Sequence, residues 1–89
     1  MNVYVIFVYD VAVDRIDAVR GLLRQYLNWV QNSAFEGELT IGTLEELILK
    51  LSDLVDETHD SVIIYTISNS KWLKKRVIGI QKSEISTVM

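Results

Sequence analysis

The chain opens on an unbroken apolar run, Val3 to Tyr9, which ends on the carboxylate of Asp10. β-Branched and aromatic residues dominate it and no turn former interrupts, which predicts a strand buried on both faces. The period then lengthens. Ile16, Val19, Leu23 and Tyr26 recur at i, i+3, i+7 and i+10, the stripe of an amphipathic helix over 14–26 with Asp14 as its N-cap. Asn28 ends that helix, and alternation returns over Trp29 to Phe35, a second strand. Glu36 to Leu39 reads as a turn and the start of a third strand. Thr43 and Glu46 form a capping box ahead of Leu44, Leu47, Ile48, Leu51, Leu54 and Val55, a second helix that ends near 53–55. Asp56 to Asp60 reads as a solvated acidic loop. Ser61 to Ser68 is a further strand, Asn69-Ser70 a turn, and Arg76 to Ile80 a last short strand in which Gly79 marks a bulge or a close contact.

Strand, helix, strand, strand, helix, strand, with one strand added, is the order of an α+β, ferredoxin-like βαββαβ fold. It predicts an antiparallel sheet with both helices on one face and the first and fourth strands adjacent near its centre. The uncovered face suits a second copy of the chain. The organisation expected is a core over 1–68, an extension with a short strand and a dimer contact over 69–82, and a mobile tail over 83–89.

Composition narrows the picture. A single domain of 89 residues buries only about 60–65% of its unfolded surface, so dimerisation would help it. No apolar run is long enough to span a membrane and no signal peptide is visible, which predicts a cytoplasmic protein. With no cysteine there is neither a disulfide framework nor a thiolate metal site. The net charge of −3 does not suit a protein that coats nucleic acid generally, but the charge is polarised. Residues 36–60 hold eight acids and one base, whereas 71–82 hold five bases and no acid.

Candidate chemistry is sparse. His59 is the single histidine and sits among acids, a solvated residue. Phosphate-binding glycine patterns are missing. Asp10 has two readings from spacing alone: a turn residue after the strand, or a carboxylate ligand. One copy is too little for a metal cluster, but two copies across a dimer axis could hold magnesium, which takes one or two carboxylates together with substrate phosphates. Arg15, Arg20 and Arg24 on the first helix, and the group from Lys71 to Lys82, could neutralise phosphates or simply be solvated faces. Trp72 could stack a base or contact a subunit.

Tyr9-Asp10 at the strand end, Gln31-Asn32-Ser33-Ala34-Phe35-Glu36-Gly37-Glu38-Leu39, and Asp60-Ser61-Val62-x-Ile64-Tyr65 together resemble the second CRISPR-associated adaptation protein, the Cas-two family, over residues 1–80. The resemblance implies a ferredoxin-like homodimer whose C-terminal strand packs across to the partner. It implies a magnesium-dependent phosphodiesterase acting on RNA or duplex DNA, with Asp10 of each subunit as the catalytic metal ligand. Arg15 and Arg20 would lie near that site with Tyr9, Ser33 and Phe35 beside it. The resemblance also implies a scaffold role, in which the dimer sits between dimers of the Cas-one integrase and holds the DNA spacer precursor. From the basic segment, Lys74, Lys75 and Arg76 are the residues expected to bind nucleic acid in a scaffold. Arg15 is flanked here by Asp14 and Asp17, a departure that bears on cleavage and not on the scaffold. A VapD-like toxin ribonuclease and a small-molecule regulatory domain are the competing readings of the same fold.

Overall fold

The computed structural model describes residues 2–68 and 73–80. Expectations for Asn69 to Trp72 and for the tail beyond Ile80 lie outside the described residues. The elements are β1 (Asn2–Asp10), α1 (Val13–Arg24), β2 (Asn28–Gln31), β3 (Ala34–Thr40), α2 (Ile41–Leu54), β4 (Ser61–Ile67) and β5 (Leu73–Gly79). They form one antiparallel sheet in the order β2-β3-β1-β4-β5. β1 is central, with β3 on one side and β4 on the other, as the element order predicts.

β1 is covered on one face only, which corrects the expectation of burial on both. Val3, Val5, Phe7 and Tyr9 are buried, whereas Tyr4, Ile6 and Val8 on the other face are half-buried or exposed. Both helices lie on the first face, and an apolar run cannot reveal which of its faces they will cover. The core forms there, where Val5, Phe7, Phe35, Val62 and Ile64 of the sheet meet Val19 and Leu23 of α1 and Leu47 and Leu51 of α2. Each of these side chains contributes about 1.5–3 kcal/mol through burial. Ile63, Tyr65 and Ile67 extend the uncovered face onto β4.

Three local readings shift. The strand expected over 29–35 is a tight hairpin: Gln31 pairs with Ala34 across Asn32-Ser33, with Asn32 at φ 46°. Asparagine tolerates that left-handed conformation. A register shift between Trp29 and Gln31 also breaks the alternation expected across this stretch, since the two residues pair with neighbours on opposite faces of β3. Glu36 to Leu39 is therefore strand interior, with Gly37 opposite Val5. Second, α2 is capped by Thr40, whose Oγ1 accepts the N–H of Thr43 at 3.1 Å, so Thr43 lies inside the first turn. Third, Asp14 is an exposed first-turn residue of α1 and the cap position is Ala12. Ala12 has no capping side chain, and its own N–H is held from 48 positions away, by Asp60.

Candidate functional site

Asp10 closes β1 on the uncovered side of the sheet, in line with Tyr4, Ile6 and Val8, and pairs with Ser61 of β4. The next residue back anchors this end. Tyr9 N–H donates to the carbonyl oxygen of Ser33 in the hairpin turn at 3.0 Å, and its hydroxyl accepts from Arg20 Nε at 2.8 Å. Its ring stands 6.2 Å from that of Phe35. The structure thus gathers Tyr9, Asp10, Arg20, Ser33 and Phe35 at one end of the sheet. Pleating divides them, however. Tyr9 and Phe35 are buried on the helix side, so Phe35 belongs to the core, while Asp10 faces the other way.

Arg15 is engaged elsewhere. Its Nε donates to Asp60 Oδ2 at 2.5 Å and its Nη2 to Oδ1 at 3.0 Å, a two-point clamp on one carboxylate. Asp60 is fully buried, which corrects the reading of 56–60 as a wholly solvated loop. Ala12 N–H and Asp56 N–H donate to the same carboxylate at 3.0 and 2.9 Å. The Arg15 guanidinium holds the Asp60 carboxyl well below the usual carboxylate range, and the two backbone donors add to it; burial acts the other way and loses. The rest of the loop fits the expectation. His59 is exposed, its Nδ1 3.1 Å from Asp56 Oδ2 and 2.9 Å from the Thr58 hydroxyl.

Gly79 shows why a glycine stands near the end of β5. Its φ is +88°, and a Cβ there would lie 2.1 Å from the carbonyl oxygen of Asp60. That oxygen also accepts the N–H of Ile80 at 3.0 Å. Sequence reasoning expected a bulge or close contact at Gly79 but missed Asp60 as its partner. The available signal was an acid placed directly before an apolar strand, where the backbone enters the core.

Lys74, Lys75 and Arg76 lie elsewhere, along β5, and pleating divides them too: Lys74 and Arg76 face the helix side, Lys75 the uncovered side. Lys75 pairs with Tyr65, and Tyr65 with Ile6, four residues before Asp10 on β1. That separates them by about 13 Å along the strand, with two strand spacings in addition. Arg76 reaches across to α2, its Nη1 3.0 Å from Glu45 Oε2. No group of three or more metal-ligating side chains occurs among the described residues. Asp10 offers one hard oxygen donor group at an exposed strand end, which fits a share in a divalent-cation site rather than a whole one.

The family described as CRISPR associated protein Cas2 matches residues 1–75. The chain belongs to the Cas2 family. It is 49% identical over 80 residues to a protein of Archaeoglobus fulgidus named CRISPR-associated endoribonuclease Cas2 2, covering 90% of this chain and 87% of that one. A Thermococcus kodakarensis protein named CRISPR-associated endoribonuclease Cas2 is 42% identical over 97% of this chain and 99% of its own. Among solved structures, a crystal structure of cas2 superposes with a TM-score of 0.73 at 43% identity, with both chains fully covered. A hypothetical protein from Thermus thermophilus gives 0.72 at 26% identity, covering 86% of this chain and 95% of that one. These matches settle the choice of family against the toxin ribonuclease and the small-molecule regulatory domain. No helix among the described residues is long and apolar enough to cross a membrane.

Proposed function

We propose that this Cas2 protein works as a homodimer in spacer acquisition, binding nucleic acid beside the Cas-one integrase and hydrolysing phosphodiester bonds at paired Asp10 carboxylates. The observation that carries this reading is the position of Asp10. It stands at the exposed end of the central strand, on the same sheet face that leaves Tyr4, Ile6, Val8 and Ile63 without helix cover. A second copy seated on that apolar face by a two-fold axis passing close to Asp10 would set a second Asp10 beside the first. The endoribonuclease names of the relatives support the chemistry.

In this reading Asp10 from each subunit contributes carboxylate oxygens to a divalent cation, with magnesium the expected ion from the all-oxygen donor set. When bound, the cation would supply an activated water and neutralise charge on the phosphate. Tyr9 and Ser33 hold the strand end through their backbone bond. Arg20 fixes the Tyr9 hydroxyl from the helix side. Replacing Asp10 by Asn in purified, folded protein should lower magnesium-dependent cleavage of RNA or duplex DNA by at least about a hundredfold. Undiminished cleavage would remove Asp10 from the mechanism.

One observation favours a scaffold that binds without cutting. The basic residues of β5 are exposed and lie well away from Asp10. If Lys74 and Lys75 meet phosphates, replacing both with Ala lowers the slope of log affinity against log salt by about 2 on duplex DNA. An unchanged slope takes β5 out of the binding surface.

A further inference from the structure

The geometry points to Asp60 as the positioning residue of the Asp10 site, with Arg15 committed to Asp60 and not to the substrate. This rests on the reading of Asp10 given above. The peptide that leaves β1 after Asp10 must cross to α1 within two residues, and Ala12 at that crossing lacks a capping side chain. Asp60 supplies the anchor. One of its oxygens accepts Ala12 N–H and Arg15 Nη2, the other Arg15 Nε and Asp56 N–H. Residues 12 and 15 are thereby fastened just beyond Asp10. The residue after Asp60 is Ser61, the strand partner of Asp10, so the same carboxylate is joined directly to the strand on its other side. The Asp60 carbonyl oxygen takes Ile80 N–H, which brings the end of β5 to the same point.

Three segments thus converge on one buried residue. The carboxylate is fully buried and accepts four N–H bonds, two from a guanidinium that remains only 26% exposed. Held this way, Asp10 has its backbone fixed on both flanks, which is what a cation ligand shared between two subunits requires. A displacement of about 1 Å at such a site can cost about a hundredfold in rate. Arg15 cannot clamp Asp60 through Nε and Nη2 while offering the same edge of its guanidinium to a phosphate.

The test compares Asp60→Asn with Arg15→Lys in the full-length protein, at a temperature where each variant keeps the wild-type circular dichroism spectrum. Asn places an N–H₂ donor against the donors that now meet Asp60, and Lys keeps the charge but loses the two-point clamp. Without metal or substrate, each variant should shift the Asp10 carboxyl carbon resonance and speed exchange of the Ala12 amide at least about tenfold relative to amides of α2. With substrate and magnesium, kcat should fall about 10- to 100-fold with KM nearly unchanged, and the double variant should be no worse than the poorer single one. Should Asp60→Asn not fold, Arg15→Lys carries the comparison alone. A fall in melting temperature with the Asp10 resonance and Ala12 exchange left as in the wild type overturns the proposal. So does an Arg15→Lys protein with raised KM and unchanged kcat, which would return Arg15 to the substrate. Cleavage that survives Asp10→Asn defeats the metal reading instead, and the metal-free resonance shift still reports whether Asp60 positions that residue.

Discussion

The two ends of the sheet are built on different principles. At the end holding Asp10, Ser61 and Gly79, a buried carboxylate collects hydrogen bonds from α1, from the α2–β4 loop and from its own clamp on Arg15, and its backbone oxygen binds the end of β5. At the end holding Tyr4, Ile67 and Leu73, a cavity of about 360 Å³ lies between α2 and β5, edged by Lys74 and Arg76 over Val3 and Leu44. The charge pair of Arg76 with Glu45 there is half exposed. The first end is cross-linked around a buried carboxylate, the second open and charged. A fixed geometry suits a site that must hold a carboxylate in place. Exposed, adaptable lysines suit a surface that meets a phosphate backbone and need not be rigid.

Substitutions should separate the two ends by size of effect. Asp60→Ala removes the partner of Arg15 and leaves Ala12 and Asp56 N–H groups unsatisfied, and should cost about 3–5 kcal/mol in denaturant unfolding. The same residue sets a pH signature. Its folded-state pKa is depressed below the unfolded value of about 3.9, so its contribution is complete above that pH and drains away as pH falls towards the folded value. Wild-type stability should therefore drop on acidification below about pH 4, and the drop should be shallower in Asp60→Ala. Gly79→Ala comes next, at about 1–3 kcal/mol, since its positive φ is strained for any other residue and the Asp60 carbonyl must move. Smallest is Arg76→Ala at the opposite end, where a solvated pair should give no measurable change in chemical stability. If Arg76→Ala destabilised as much as Asp60→Ala, the contrast between the ends would collapse.

Much of the fold was legible because its signals are local and repeated. The helical stripes of α1 and α2 and the β-prone runs of β1 and β4 are each several residues long, and their order limits the topology. Asp10 stood out because it ends the longest apolar run. Where the reading slipped, the decisive contact lay elsewhere in the chain or the signal was two residues long. Asn32-Ser33 vanished inside an alternating pattern. Asp14 offered itself as a local cap, while Ala12 was already secured by Asp60. Arg15 read as a free helix cation because its partner is 45 positions away.

By itself the sequence determined the elements, their order, the ferredoxin-like α+β class and the motifs that resemble Cas2. Periodicity and short motifs encode these, since each depends on residues near one another along the chain. Only the tertiary structure decided which face of β1 is covered, that Arg15 is committed to Asp60, and that the basic residues of β5 stand apart from Asp10. Those outcomes depend on distances between segments far apart in sequence. Burial then converts them into energetics. An acid that would be an ordinary loop residue in water becomes, once desolvated beside a guanidinium and two N–H groups, the point where three parts of the chain are joined.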